Sequence, residues 1–311
     1  MGNKILKFIC GAGNEDLDEI EKLSYVYAKA GFNMIDTAPK EEAVNSVLAG
    51  IKKAGMENCI NICVSIGLKD DIHLSKALIN PLKCDLCGIC EKECPRNAIF
   101  KQQKEFIVNK KRCIGCGKCL KVCYQNAIIQ KYGDTSFENL IFQNKNIDCV
   151  EFHCTSDNEN EILHGWNNLK EVYNGQLSIC MNRSKLGDER IISLLKQMTQ
   201  GLNNVIIQAD GNPMTGGVND YKSNLQTVSF AQLIRDNKIS AKVILSGGTN
   251  SKTAQFAKLC EVDIDGIAIG SFARKLINEY VKNELFWENK EIQKEAVKKA
   301  KFLVMELMSQ F

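Results

Sequence analysis

Short apolar runs alternate with longer amphipathic stretches along most of this chain. ILKFIC (5–10) precedes DLDEIEKLSYVYAKAG (16–31), and FNMIDTA (32–38), EEAVNSVLAGIKKAG (41–55) and INICVSIG (60–67) continue the alternation. The short runs read as buried strands, and the stretches between them repeat apolar residues every three or four positions, as a helix with one buried face does. After an interruption the rhythm resumes with DCVEFHC (148–154), a helix near 158–173, LSICMN (177–182), a helix near 188–200 and NVIIQAD (204–210). It ends with a short helix near 229–237, KVILSGG (242–248), a helix near 251–260, GIAIGS (266–271) and a helix from about 272 to 282. Asn14 or Asp16 is placed to open the first helix, and Gly31 and Gly55 to close the first and second. Eight strands alternating with helices predict the α/β class and a closed (β/α)8 TIM-type barrel in preference to an open doubly wound sheet. In the last segment, 286–311, Ile292, Ala296, Ala300, Leu303 and Leu307 recur at helical spacing, which predicts an amphipathic helix laid on the barrel.

The interruption covers residues 80–130 and divides the barrel into 1–79 and 131–285. CDLCGICEKECP (84–95) spaces four cysteines with two, two and three residues between them and ends in proline. RCIGCGKCLKVC (112–123) repeats that spacing with Cys113, Cys116, Cys119 and Cys123. A [4Fe-4S] cluster needs four thiolates, three from one tight turn and a fourth from elsewhere, and each run offers that set. A disulfide framework belongs to short secreted chains, and zinc knuckles separate two ligand pairs by a longer loop, so zinc stays as the remaining alternative. The runs also end alike, in PRNAIF and YQNAII, and the segment closely resembles a bacterial two-cluster ferredoxin. That resemblance implies an α+β module inserted after the third barrel strand, with crossed ligation: Cys84, Cys87, Cys90 and Cys123 on one [4Fe-4S] cluster, Cys113, Cys116, Cys119 and Cys94 on the other. Tyr124 stands where ferredoxins of this kind usually carry proline.

Composition narrows the setting. With 311 residues, 44% hydrophobic residues and a net charge of +3, the chain is long enough for a sizeable core and carries no imbalance that points to nucleic acid or an acidic membrane. Fifteen cysteines, an odd number, together with oxygen-labile thiolates argue for a reducing, cytoplasmic compartment. The apolar run in MGNKILKFICGAGNEDLDEI is too short for a signal peptide, and no run approaches the roughly 18 residues of a spanning helix.

A barrel localises chemistry to the carboxyl ends of its strands. Asp36 on the second strand, Glu151 and His153 on the fourth, Asn182 on the fifth, and Gln208 with Asp210 on the sixth are the candidates for catalysis. Asp36 and Asp210 read equally well as caps of the next helix or as partners of loop amides, and a lone His153 as a satisfied structural histidine. After the seventh and eighth strands, Ser246, Gly247, Gly248, Gly270 and Ser271 precede helix starts, where backbone amides can cradle the phosphate of FMN or of another small anion. The same glycines could serve only as tight turns, and Arg274 reads as well as a solvated or ion-paired side chain as it does a ligand. Cys10, Cys63, Cys154 and Cys180 fall at or near strand ends, where a thiol cluster is conceivable, but buried cysteine packing is the favoured reading for them and for Cys59, Cys149 and Cys260.

IQADGNPMTGG (207–217), SGGTNSKT (246–253) and GIAIGSFARKLI (266–277), combined with the inserted cysteine segment, resemble the light-dependent period protein family of oxygenic photosynthetic bacteria over about residues 4 to 282. The resemblance implies an iron–sulfur protein that senses cellular redox state and passes it to the circadian clock, through a redox or regulatory protein partner. The alternative is an oxidoreductase whose clusters deliver electrons to a phosphate-bearing ligand or flavin at the barrel mouth.

Overall fold

The computed structural model describes residues 4–68, 71, 74–132, 144–183, 186–211 and 219–311. Most of the DGNPMTGG loop, residues 212–218, lies outside the described residues. The chain begins β1 (Ile5–Ile9), α1 (Leu17–Ala30), β2 (Met34–Thr37), α2 (Glu41–Ala54) and β3 (Asn61–Gly67). A separate set follows: β4 (Ser75–Ile79), α3 (Ile89–Lys92), β5 (Ile99–Gln102), β6 (Glu105–Val108), α4 (Lys118–Val122) and β7 (Ile128–Tyr132). The alternation then resumes with β8 (Cys149–Cys154), α5 (Glu159–Val172), β9 (Gln176–Asn182), α6 (Asp188–Thr199), β10 (Ile206–Asp210), α7 (Leu225–Asp236), β11 (Lys242–Ser246), α8 (Thr253–Leu259) and β12 (Gly266–Ile269). Short helices α9 (Ser271–Leu276) and α10 (Asn278–Val281) and the long α11 (Lys290–Met308) complete it.

Eight of these strands, all parallel, close in the order β1-β12-β11-β10-β9-β8-β3-β2. Gly266 makes the closure tight, because a Cβ there would lie 2.1 Å from the carbonyl oxygen of Ile5 across the β1–β12 seam. Asp16 caps α1 by accepting from the amide of Glu19, and Gly31 and Gly55 take left-handed values, φ 108° and 67°, to end α1 and α2. Two helix expectations shift. The helix expected from 272 to 282 breaks at Ile277, which leaves helical angles to sink its side chain fully into the core. The helix expected near 229 begins at Leu225, because the polar stretch before it winds into a 3-10 turn over Lys222–Asn224 that feeds the helix directly. In α11, Ala296, Ala300, Leu303 and Leu307 are buried, and Asn289 caps its start.

Strand side chains alternate between two environments. Leu6, Phe8, Val64, Val150, Phe152, Ile207 and Leu245 face the helix layer and join the main core. Ile5, Met34, Cys63, Cys149, Ile206, Ile244 and Ala268 fill one interior layer of the barrel. The segment between β3 and β8 forms two small antiparallel sheets, β4 with β7 and β5 with β6, around a core of Ala77, Cys90, Ala98, Ile99, Phe106, Cys113, Cys119 and Ile128. Among the described residues no helix is long and apolar enough to cross a membrane.

Candidate functional site

The two cysteine runs fold as copies of one another. Gly88 and Gly117 start the short helices from left-handed conformations, φ 75° and 68°, and Asn97 and Asn126 repeat at φ 47° and 49° after the last cysteine of each run. This places the amide of Ala98 3.2 Å from Cys94 Sγ and that of Ala127 3.3 Å from Cys123 Sγ, while the amide of Ala77 reaches Cys113 Sγ at 3.4 Å. Amides aimed at sulfur favour thiolates and are a usual feature of iron–sulfur ligation.

Four cysteines line each of two cavities, and the grouping crosses the runs. Cys94, Cys113, Cys116 and Cys119 surround an inner cavity, and Cys84, Cys87, Cys90 and Cys123 an outer one. Burial, with Cys116, Cys113 and Cys94 adjacent, pushes the Cys119 thiol up to about 12. Burial and the neighbouring Cys84 and Cys87 also raise Cys90. Thiols crowded this way cannot all ionise alone, so the sets are suited to a multiply charged metal centre between them. Tyr124, in the usual proline position, is 62% exposed and donates its hydroxyl to Asp85, tying the end of the second run to the start of the first.

The inner cavity lies against the barrel mouth. Arg96, two residues after Cys94, pairs with the buried Glu19 of α1 through Nη1 at 2.9 Å. Lys76 donates to the carbonyl of Cys113 at 2.8 Å and pairs with Glu15 at 3.0 Å, and the amide of Glu15 donates to the carbonyl of Lys111. These contacts hold the second cysteine run on the loop after β1. As a result Ile114 borders both the inner cysteine cavity and the mouth cavity.

The mouth cavity is an open cleft, its roughly 730 Å³ of empty space counted with the solvent at its entrance. Asp36, Glu151, His153, Gln208 and Asp210 line it, as do Ser246, Gly247, Gly248, Gly270 and Ser271. Asn182 does not: its amide donates to the carbonyls of Asp210 and Gly211, at 3.3 and 2.7 Å, and pins the loop after β10. Gly247 and Gly248, at φ 69° and 86°, turn the chain where residues with a Cβ would be strained. Arg274 reaches the cavity too, donating to the carbonyl of Ile9, and burial, with Arg96 nearby, lowers its pKa to about 10. Among the described residues no carboxylate pairs with Arg274 within 4.0 Å.

Beneath the cavity, behind Asp36, Glu151 and Gln208, stands Lys7, a residue the sequence reading passed over. It is 1% exposed, with Nζ 2.5 Å from Glu151 Oε2 and 3.6 Å from Asp36 Oδ1. Burial opposes ionisation of Lys7, but Asp36 and Glu151 outweigh it and hold its pKa well above the ordinary value. Lys7 and His153 outweigh burial at Glu151 and hold its carboxyl below the usual range, whereas burial wins at Asp36 and raises it. Gln208, Ser65 and Ser178 donate to Glu151 at 3.1, 3.3 and 3.2 Å. His153 lies with Nδ1 2.7 Å from Asp71 and Nε2 3.2 Å from Glu151, and these carboxylates overcome burial to keep it well above the usual histidine range. Burial raises Asp210 to about 7. The alternation Ile5, Lys7, Ile9 in β1, a charge inside an apolar interior row, was the signal for Lys7; Asp71 had none.

Of the four cysteines near strand ends, only Cys180 lines the mouth. Cys10 and Cys154 turn to the helix-side core, and Cys63 packs with Cys149 in an interior layer away from the cavity, so no thiol cluster forms there.

A ferredoxin-like module with two four-cysteine cavities, docked on a TIM-type barrel, defines an iron–sulfur barrel protein. Residues 83–128 match the model of the 4Fe-4S dicluster domain, and residues 141–306 that of the Light dependent period A C-terminal domain. Light dependent period A of Synechococcus elongatus is 30% identical over 292 residues, covering 88% of this chain and 81% of that protein. The chain belongs to the light-dependent period A family. Among solved structures, a tryptophan synthase from Mycobacterium tuberculosis superposes with a TM-score of 0.52 at 11% identity, over 99% of this chain and 93% of that one. A dihydrodipicolinate synthase from Oceanobacillus iheyensis gives 0.42 at 10% identity, over 98% and 86%. At 11% identity the likeness to the tryptophan synthase is one of fold.

Proposed function

We propose that this chain is a redox protein with two [4Fe-4S] clusters, one on Cys84, Cys87, Cys90 and Cys123 and one on Cys94, Cys113, Cys116 and Cys119, and that its barrel mouth holds a small phosphate-bearing ligand in electronic contact with the inner cluster. The wall of Ile114 common to the inner cavity and the mouth carries this reading. When bound, the clusters supply one-electron transfer. The chain's own residues do the rest. Gly247, Gly248, Gly270 and Ser271 offer backbone amides to a phosphate, with Arg274 as the cation beside them. Lys7 supplies positive charge beneath the floor, and Asp210, with its pKa near 7, is suited to hold or yield a proton at its carboxyl. FMN is the member of this ligand class with matching redox chemistry.

Anaerobic purification with iron, sulfide and small-molecule analysis tests it. The expected result is about eight iron and eight sulfide per chain, with a phosphate-bearing molecule that Gly270→Leu excludes. A Cβ at Gly270 already meets Arg274 Nη1 at 3.0 Å and Ile9 Cβ at 3.3 Å. Stoichiometric zinc with no labile sulfide would end the cluster reading.

A second reading, a redox-responsive regulator that binds a protein partner, is favoured by the outer cavity. Leu82, Leu86, Ile89 and Tyr124 beside it are 95%, 40%, 39% and 62% exposed, an apolar fringe suited to a docking partner. Loss of partner-dependent cluster oxidation in Leu82→Glu, with the mouth ligand retained, would separate this role from the first.

A further inference from the structure

The barrel floor brings together three ligand types that neither the clusters nor an anion requires. Sγ of Cys180, a nitrogen of His153 and a carboxylate oxygen of Glu151 lie within 4.8 Å of one another. We propose that Glu151, His153 and Cys180 bind one divalent metal ion of the zinc class, with its fourth position open to the mouth cavity.

His153 Nε2 stands 3.2 Å from Glu151 Oε1. A tetrahedral ion with bonds of about 2.0 Å to nitrogen and oxygen sets two such ligands about 3.3 Å apart. Outside the ligands, each donor is already oriented. Asp71 Oδ2, 2.7 Å from Nδ1, fixes the histidine tautomer that leaves Nε2 for a metal, the usual carboxylate–histidine pairing behind zinc ligands. Lys7 and Ser178 occupy Oε2 of Glu151, at 2.5 and 3.2 Å, and turn Oε1 toward His153. Gln208 Nε2 lies 3.4 Å from Cys180 Sγ, a donor suited to a thiolate. Asp36, Asp71, Asp210 and Lys7 surround the three residues, all nearly or wholly buried. One sulfur, one nitrogen and one oxygen suit zinc, and three protein ligands with an open position are the pattern of catalytic zinc sites. All three residues line the mouth cavity, so the open position faces the space where a ligand enters. The site needs neither cluster to form.

The test uses the full chain, anaerobically purified with its clusters and supplied with one equivalent of zinc. Zinc, iron and sulfide are measured after desalting, and the zinc X-ray absorption edge reports the ligands. The expected result is about one retained zinc per chain on top of the iron, with a single sulfur neighbour. Cys180→Ser should remove that sulfur and His153→Gln should cut zinc retention, both with iron and sulfide unchanged. Asp71→Asn, a positioning change, should weaken zinc by about 10- to 100-fold without altering the neighbours seen at the edge. No retained zinc in protein with full iron, or zinc that survives both Cys180→Ser and His153→Gln, would overturn the proposal. Multiple sulfur neighbours together with lost iron would also overturn it, by placing zinc in a cluster cavity.

Discussion

Replacing Lys7 with methionine keeps an unbranched side chain of similar length in the barrel and removes the one buried cation between Glu151 and Asp36. With Nζ 2.5 Å from Glu151 and the side chain 1% exposed, the change removes the nearest cation from a buried carboxylate and leaves it His153 and its hydroxyl and amide donors. Removing one partner of a buried ion pair costs about 3–5 kcal/mol. With a urea m-value of about 3 kcal/mol/M, the unfolding midpoint should fall by about 1–1.7 M. The pH dependence has a definite sign. Glu151, held below the ordinary range, contributes stability that is present above its unfolded pKa of about 4.3 and is lost as pH falls through its depressed folded value. Lys7, held above its usual value, contributes stability present below its unfolded pKa of about 10.4 and lost as pH rises through the folded value. The pair is therefore fully effective at neutral pH. In Lys7→Met the buried carboxyl takes up a proton more readily, so the deficit should be widest near pH 7.5 and narrower near pH 5. Anaerobic urea titrations followed by far-UV circular dichroism at both pH values measure it, and adding Glu151→Gln to Lys7→Met should recover part of the loss. An unchanged midpoint at pH 7.5, or a deficit that grows on acidification, would refute the buried-pair account.

Three further outcomes follow from specific contacts. Cys94→Ser should lower iron from about eight to about four per chain and leave intact the cluster served by Cys84, because Cys94 groups with Cys113, Cys116 and Cys119; loss of the Cys84 set instead would place the ligation within each run. Glu19→Gln weakens the partner of Arg96 and should cost about 1–3 kcal/mol of docking, read as faster hydrogen exchange in residues 84–123 against an unchanged barrel. Gly266→Ala drives a Cβ to 2.1 Å from the Ile5 carbonyl oxygen and should destabilise the barrel by about 1–3 kcal/mol, seen as a lower melting temperature.

The barrel was legible because its strands and helices differ in period, and the cysteine runs because ligand spacing is a local property. The third strand to the fourth is where sequence reasoning met its limit. Nothing local says that Arg96 will reach Glu19 or that Ile114 will wall two cavities, since both contacts join segments about 80 to 100 residues apart. Asp71 illustrates the same limit, as its role depends on meeting His153, 82 positions away. Lys7 was more accessible, since a lysine on the interior-facing row of an apolar strand must find carboxylates or go unsatisfied. Asn182 stands one step back from the cavity: at the strand end its short amide donates to the adjacent loop carbonyls and hydrogen-bonds the carboxyl of Asp210, which lines the cavity.

The central claim is that the inner cluster and the mouth ligand meet across Ile114. An anaerobic redox titration of the full chain followed by electron paramagnetic resonance, with and without added FMN and with inorganic phosphate as control, tests it most directly. The account predicts that FMN shifts the midpoint of one cluster only, the one that disappears in Cys94→Ser, and that Ile114→Trp changes this shift while iron content stays constant. No shift on either cluster, or a shift confined to the cluster held by Cys84, Cys87, Cys90 and Cys123, would contradict it.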